Sequence, residues 1–311
     1  MASGVLLGLA AAICWGVADY CMRGATHTVG PFRSLYFMQV VSLLALGLLV
    51  APWLRPSFAG ASPSAIAATV GLSLVIMVGA ALLYRSFHIG VLAIVSPIAA
   101  SFGAIAAGLA LLSGERPTAL ALIGLALALV GVILSGMAPA TPHASGESGA
   151  RRRLLGPGVL EAIIATLLFG VAYWALRYVV ADLGSVQVAV IGKATDFAAL
   201  TLVVLGGWAA RRWLPTPAFA QGSAAAAALP LAPRSGAFWL WLIPGALLDV
   251  SANLAYNFGV AGALTSVVAT LSSLFSAVTV LLAAIFLRER LTRIQWAGVA
   301  LILVGVSLVN L

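Results

Sequence analysis

Residues 263–310 read ALTSVVATLSSLFSAVTVLLAAIFLRERLTRIQWAGVALILVGVSLVN, which is two apolar runs joined by a short charged turn. Residues 91–136 carry the same pattern, VLAIVSPIAASFGAIAAGLALLSGERPTALALIGLALALVGVILSG. At a single offset of 174 residues, four positions recur: Glu115, Arg116, Gly124 and Gly131 as Glu289, Arg290, Gly298 and Gly305. A repeated apolar hairpin of this kind predicts a chain built from two related halves.

The composition excludes a water-soluble globular protein. Of the 311 residues, 63% are hydrophobic and 8% are charged, and the mean hydropathy is +1.14. Soluble domains carry about 25% charged residues. In lipid, only helices and closed barrels satisfy the backbone, and apolar runs of about 20 residues fit helices rather than alternating barrel strands. The predicted fold class is therefore an all-α, multi-pass membrane protein.

Ten membrane spans are predicted, at about residues 4–23, 33–51, 64–84, 91–112, 118–137, 157–178, 190–210, 237–258, 263–287 and 293–311. A segment rich in Pro, Gly and Ser follows the fifth span. The predicted organisation is thus a first five-helix repeat at 1–137, a linker at 138–156 and a second five-helix repeat at 157–311. A second polar break at 211–236 is predicted to be a loop, with Ala224–Leu229 as a candidate surface helix. The start lacks the positive n-region of a signal peptide, so the first span is expected to be retained.

Two further sets of residues, each recurring at its own offset, support the duplication. Gly16, Val17, Ala18 and Arg23 recur as Gly170, Val171, Ala172 and Arg177 at an offset of 154, and Tyr84, Gly90 and Leu92 recur as Tyr256, Gly262 and Leu264 at an offset of 172. Because each predicted half has an odd number of spans, the two halves must lie in opposite orientations. Inverted repeats are the architecture that secondary transporters use for alternating access.

The basic charge reports orientation rather than nucleic-acid binding. The net charge is +8, from 15 arginines and one lysine against eight acids. Twelve of these cations fall in one set of predicted loops and four in the other, so the positive-inside rule places both termini outside the cytoplasm. Cys14 and Cys21 lie seven residues apart in one span, so neither a disulfide nor a metal role is expected.

The order of several weak motifs resembles a known family. Trp15-Gly16 in the first span, Pro97 in the fourth, and a Glu-Arg turn before a glycine-containing last span in each half resemble the EamA type of the drug/metabolite transporter superfamily. The resemblance covers nearly the whole chain. It implies ten helices and a carrier, exchanger or facilitator of small metabolites, generally proton-coupled, with a central cavity lined by the first, third and fourth helices of each half. With the arginine bias, it implies a bacterial inner (plasma) membrane.

The chain departs from the family pattern in two respects. Ala269-Thr270 stands where the family often repeats the proline, so the ninth helix is expected not to kink. The family's usual orientation puts both termini in the cytoplasm, opposite to the arginine count, and the orientation stays open.

An acidic residue within a membrane span indicates a functional or structural role, because burying it in hydrocarbon costs roughly 2.5–3.5 kcal/mol on insertion scales. Asp249 lies near the middle of the eighth span, with Asn253, Tyr256 and Asn257 following on the same helical face. One hypothesis is a cavity stripe in which Asp249 binds a cation or proton and the asparagines bind substrate. The alternative is a polar zipper between helices.

Asp19 lies one turn after Trp15 in the first span, and Arg23 lies one turn further. An ion pair between Asp19 and Arg23 is the alternative to a functional role. The equivalent of Asp19 in the second half is Tyr173, so the predicted pocket is aromatic on both sides and acidic on one. Such a pocket suits an organic cation or a zwitterion with an apolar body.

Tyr84 and His88 end the third span. Tyr84 is a predicted substrate-binding residue together with Trp15, Asp19, Tyr173, Asp249, Asn253, Tyr256 and Asn257. Histidine as a residue type can exchange protons under physiological conditions, so His88 is predicted, with Asp19 and Asp249, to couple protons, the alternative being a solvated histidine at a helix end.

Other charged residues are assigned structural roles. Glu161 near the start of the sixth span should complement the helix dipole, and Lys193 should pair with Asp196 three residues later. Glu115 and Glu289 are expected to keep the hairpin turns in water.

No enzyme or metal motif is found, neither HExxH, GxSxG, a Walker loop nor GxGxxG after a strand. No enzyme activity, cofactor or metal is therefore expected. The expected partners are a small-molecule substrate, membrane lipids and protons as coupling ion, without nucleic acid, for a monomer or homodimer.

The sequence favours a secondary active transporter, most readily an exporter, of an amino acid or a related amine or organic cation. A facilitative channel-like pore should carry equivalent polar residues in both halves, but Asp249 corresponds to Met77. A lipid-handling intramembrane protein would need a nucleophile paired with a base, and no such pair is found.

Overall fold

A computed structural model describes residues 2–50, 57–90, 92–135, 158–213, 236–286 and 292–309. All the regular secondary structure within these ranges is helical. Six of the described helices are long and apolar enough to cross a membrane. The predicted all-α membrane fold is therefore confirmed, while the number of crossings stays a prediction. The predicted linker at 138–156, the candidate helix Ala224–Leu229 and the Glu289-Arg290 turn lie outside the described residues.

The first half contains α1 (Ala2–Val29), α2 (Pro31–Ala45, continued by a π-helical turn at Leu46–Val50), α3 (Pro63–Ile89), α4 (Leu92–Ala100), α5 (Phe102–Leu112) and α6 (Ala119–Ser135). The second half contains α7 (Val159–Leu183), α8 (Ser185–Trp213), α9 (Gly236–Gly262), α10 (Thr265–Ser272), α11 (Phe275–Phe286) and α12 (Arg293–Val309). The sharp corners between consecutive helices use glycine where φ is positive, as at Gly30 (φ 89°) and Gly184 (φ 93°).

The fourth and ninth predicted spans are each broken into two helices. The first break falls at Ser101, and the second falls at Ser273 and Leu274. The expectation that the ninth helix would not kink is thus wrong. Its break needs no proline, because the Ser272 and Ser273 hydroxyls donate to backbone carbonyls three residues earlier, at 3.0 and 2.7 Å. Such back-bonding competes with the helical ladder and bends helices.

The first helix of each half packs against the broken helix of the other half. Gly16 of α1 lies so close to α11 that an added Cβ would stand 2.5 Å from the Cβ of Val278. The Thr279 hydroxyl also donates to the Gly16 carbonyl at 3.1 Å. In the same way, an added Cβ on Gly170 of α7 would stand 2.5 Å from the Cβ of Ile105 in α5. Glycines that recur in the sequence therefore make equivalent close contacts in both halves.

The last helices of the two halves, α6 and α12, pack through their recurring glycines. A Cβ on Gly131 would stand 2.7 Å from the carbonyl oxygen of Gly298, and a Cβ on Gly305 would stand 2.6 Å from that of Gly124. The later glycine of each helix meets the earlier glycine of the other. The two helices are therefore antiparallel, in contact along their backbones.

Candidate functional site

A cavity of about 110 Å³ lies between the two halves. Seven of the eight residues predicted to bind substrate line it: Trp15, Asp19, Tyr84, Tyr173, Asp249, Asn253 and Asn257. The expected lining by the first, third and fourth spans of each half is incomplete, because α2 and α8 also contribute, through residues such as Gln39 and Lys193. Whether the lining residues bind substrate stays a prediction.

Lys193 forms a buried ion pair with Asp249 across α8 and α9. Its Nζ lies 2.6 Å from Asp249 Oδ2 and also donates to Gln39 Oε1 at 3.3 Å. The predicted pairing of Lys193 with Asp196 is therefore wrong. The long lysine stem reaches a neighbouring helix instead of the next turn of its own. A buried cation of this kind needs a partner, because leaving it uncompensated costs about 3–5 kcal/mol.

Asp196 faces the same cavity without a strong partner. Its side chain is 5% exposed, and its Oδ1 atom accepts no hydrogen bond from the described residues. The three ion pairs within the described ranges involve Glu161, Glu115 and Asp249, not Asp196. Asp196 is not among the predicted site residues, although the cost of an acid within a span applies to it as much as to Asp249.

Asp19 is a further buried carboxylate in the cavity lining, with 7% of the residue exposed. The alternative of an ion pair with Arg23 is not realised, since no such pair occurs in the part of the chain that the structure describes. Among the described residues, the lining thus contains three carboxylates, of Asp19, Asp196 and Asp249, against the single ammonium of Lys193. With all four groups ionised, the cavity would carry two negative charges in excess.

The contacts of the two asparagines of α9 agree in part with both hypotheses, the cavity stripe and the polar zipper between helices. Asn253 Nδ2 donates to the Asp249 carbonyl at 2.7 Å and to Asp249 Oδ1 at 3.2 Å, which helps to fix that carboxylate. Asn257 Nδ2 donates to the Ser185 carbonyl at the start of α8, at 3.2 Å. Asn257 therefore also links two helices, as the polar-zipper alternative proposes.

Aromatic side chains form one wall of the cavity. The ring centroids of Trp15 and Tyr173 are 5.2 Å apart, and Phe102 lies 5.2 Å from Tyr173. Tyr256 does not line the cavity. It is fully buried behind this wall, 4.9 Å from the Tyr173 ring, and its hydroxyl donates to the Tyr173 carbonyl at 3.0 Å. The hydroxyl of Tyr84, another lining residue, donates a hydrogen bond to Met38 Sδ at 3.2 Å.

His88 lies apart from the other predicted residues. It is exposed at the end of α3, with its ring centroid 5.5 Å from that of His27, and it is not part of the cavity lining. The one helical turn that separates it from Tyr84 carries it beyond the cavity, to the end of the helix. The structure therefore does not place His88 beside Asp19 or Asp249.

Glu115 connects the two halves next to the cavity lining of α7, because its partner Arg177 directly follows the lining residue Leu176. Its carboxylate accepts hydrogen bonds from the backbone N–H groups of Thr265 and Ser266, each at 2.9 Å, at the N-terminus of α10. Arg177 Nη1 donates to the same carboxylate at 2.8 Å. The side chain of Glu115 is only 10% exposed, so the expectation that this turn residue is held in water is wrong.

The environment of Glu115 favours its charged form. Burial alone raises the pKa of this carboxyl, but the hydrogen bonds from Ser266 and Thr265 outweigh burial and lower the pKa below its ordinary value. The partial positive charge at a helix N-terminus acts in the same direction. By contrast, Glu161 lies in the first turn of α7, as predicted, and pairs with the mostly exposed Arg85 at 3.4 Å.

Comparison with known proteins agrees with this architecture. The sequence pattern shared by the EamA-like transporter family matches residues 2–137 and, a second time, residues 156–311. This match confirms the resemblance to EamA-type transporters. A search of the curated proteins returned no match. Twenty-eight solved chains match. One of them, titled "Crystal structure of protein", is 16% identical with a TM-score of 0.70, over 99% of this chain and 96% of that chain. At this identity the likeness shows the fold alone.

Proposed function

Because the chain belongs to the EamA-like transporter family, we propose that it is a secondary active transporter of a bacterial inner membrane. It exports a small metabolite, an amino acid or a related amine or organic cation. Transport proceeds by alternating access around the cavity between the two halves, and protons are the coupling ion. The chain crosses the membrane ten times, as two inverted repeats of five spans.

The acidic and aromatic lining of the cavity carries the proposal for a cationic group. Lys193 forms its ion pair with Asp249, and neither Asp19 nor Asp196 has an ion pair within the described residues, so these two carboxylates are available to a positively charged substrate. An ammonium group would pair with a carboxylate, while the wall around Trp15 and Tyr173 would contact its apolar body and stabilise the cation by about 0.5–2 kcal/mol. Few polar groups in an otherwise apolar cavity fix orientation in the usual manner of small-molecule sites.

Inversion of the halves is supported by the antiparallel contact of α6 and α12. These helices are equivalent in the repeat, since Gly124 and Gly131 recur as Gly298 and Gly305. Two equivalent helices that are antiparallel are what an inverted repeat requires, and such repeats place substrate sites at their interface near the middle of the bilayer.

Alternating access requires that each end of the cavity can close. The contacts of Glu115 with α10 and Arg177 join the end of α5 in the first half to the second half. Arg177 directly follows Leu176, a lining residue of α7. In the proposed cycle, this contact seals one end and breaks when the substrate leaves through that end.

Uptake into proteoliposomes tests the proposal. Purified protein is reconstituted, and entry of radiolabelled 1-aminobutane and of alanine is measured with and without unlabelled compound inside. A carrier should show saturation and counterflow for at least one compound, and Asp249→Asn should abolish both. Asp182→Asn, a matched change at an exposed residue outside the cavity, should leave them intact.

The same assay separates the two alternatives. Flux that rises linearly with concentration, without counterflow, would instead indicate a channel-like pore. Absence of flux for every amine and amino acid, combined with turnover or scrambling of labelled lipid, would indicate a lipid-handling protein.

A further inference from the structure

The charges in the cavity point to a particular class of substrate, and this step rests on the function proposed above. Asp196 is only 5% exposed, and its Oδ1 lacks a hydrogen-bond donor within the described residues. An unpartnered acceptor in such a place is destabilising, and more so when it is charged. The side chain borders the cavity, so a ligand can supply the missing partner.

Asp19 is a second buried carboxylate of the lining, and it forms no ion pair within the described residues. It belongs to α1, whereas Asp196 belongs to α8, and both border the cavity. The charge of Asp249 interacts with those of both, and the charge of Lys193 interacts with that of Asp196, but the hydrogen-bonded ion pair of Lys193 is with Asp249. The cavity lining therefore holds two carboxylates, those of Asp19 and Asp196, that have no ion pair within the described residues.

We propose that the substrate is a flexible diamine, whose two ammonium groups bind Asp19 and Asp196 in exchange for two protons. In the empty cavity each of the two carboxyl groups holds its proton as a neutral acid. When the diamine enters, each O–H bond breaks and the proton passes to water on the open side. Each carboxylate then pairs with one –NH₃⁺ group. On the other side the diamine leaves and two protons return.

This exchange keeps the cavity electrically neutral in both states that must reorient. Loaded, two ammonium charges balance two carboxylates; empty, two protons do so. The Lys193–Asp249 pair adds no net charge in either state. Moving an uncompensated charge through the low-dielectric interior is strongly unfavourable. The remaining titratable groups that face the cavity are the phenols of Tyr84 on α3 and Tyr173 on α7, which contribute no charge near neutral pH.

Isothermal titration calorimetry with two ligands that share a four-carbon chain tests the inference. The purified full-length protein is titrated at about pH 7, where amines are fully charged, with 1,4-diaminobutane and with 1-aminobutane. Each titration is repeated in two buffers of different ionisation enthalpy, which gives the number of protons released. The expected result is two protons per diamine and one per monoamine. The diamine should bind roughly 10- to 100-fold more tightly, from one additional charge-assisted contact.

Asp196→Asn identifies the second position. In this variant the diamine should release one proton and bind about as weakly as the monoamine, while the monoamine affinity is unchanged. Asp182→Asn should behave like the wild type, and the melting temperature of each variant verifies that it is folded. Because the wild-type comparison of two ligands needs no variant, the inference stays testable if Asp196→Asn is unstable.

Three outcomes would overturn the inference. Equal affinities for the two amines, or diamine binding without proton release, would refute a dication exchanged for two protons. Unaltered diamine binding in Asp196→Asn would refute Asp196 as the residue that binds one of the two ammonium groups. In each case saturable transport of the monoamine would leave the proposed function standing. If neither amine binds and neither is transported, the amine class of the proposed function fails with it.

Discussion

Replacing Glu115 with glutamine should weaken the contact that closes one end of the cavity. The carboxylate has three charge-assisted partners, the N–H groups of Thr265 and Ser266 and the guanidinium of Arg177. Glutamine keeps one acceptor oxygen, turns an N–H₂ group toward a former donor, and carries no charge for Arg177. A hydrogen bond to a charged group contributes about 1.5–3 kcal/mol. The equilibrium should therefore shift roughly 10- to 150-fold towards the state that is open at this end.

Distances between spin labels across this end measure the shift. Labels are attached to cysteines at Ala119, at the start of α6, and at Ala261, near the end of α9, both exposed. The two natural cysteines, Cys14 and Cys21, are first replaced by alanine. Double electron–electron resonance should show one predominant short distance in the parent protein and a larger population at longer distance in Glu115→Gln.

Glu161→Gln is the matched control. It also removes a carboxylate that pairs with an arginine of the other half, Arg85, but at the opposite end of α7 from Arg177. Arg85 is 64% exposed, so this pair contributes about 0–1 kcal/mol. We expect no lengthening of the Ala119–Ala261 distance in this variant. An unchanged distance distribution in Glu115→Gln, or equal lengthening in both variants, would refute the closing role of Glu115.

Three other predictions follow from the same contacts. Because the pKa of Glu115 is lowered, its contribution to the closed end is fully present above the ordinary pKa of glutamic acid, about 4.3, and is lost only as pH falls through the lowered value. The label distance should thus be constant from pH 7 to 5 and lengthen in stronger acid. Asp249→Asn leaves Lys193 buried without its anion and should destabilise the protein by about 3–5 kcal/mol, whereas adding Lys193→Met should recover most of the melting temperature without restoring transport. Gly131→Val should cost about 1–3 kcal/mol through overpacking against α12, while Gly108→Val, where an added Cβ meets no atom within 4 Å, should leave the melting temperature nearly unchanged.

The helical class, the duplication and the cavity face of α9 could be predicted from the sequence. Apolar runs identify helices because lipid permits little else. The spacing of Asp249, Asn253 and Asn257 fixes their common side because a helix has a constant period. These properties depend on residues close together in the chain, and the periodicity of one helix is enough to read them.

The sequence could not reveal contacts that depend on the relative placement of helices. Lys193 was assigned to Asp196, its neighbour along the helix, whereas its partner Asp249 is 56 residues away. Glu115 looked like a solvated turn residue because its partners on α10 lie 150 residues or more further along the chain. The break in the ninth span was missed because serine back-bonding has a weaker sequence signal than proline.

The contact between Gly16 and Thr279 has a consequence for biosynthesis. The two residues are 263 positions apart, so at about 5–20 residues per second the ribosome needs on the order of ten to fifty seconds to supply the partner of α1. During this interval α1 has no α11 to pack against, and its inward-facing Asp19 has no closed cavity around it. The nascent first half must therefore wait in the insertion machinery or among lipids, and final docking of α1 becomes a late, post-insertion event.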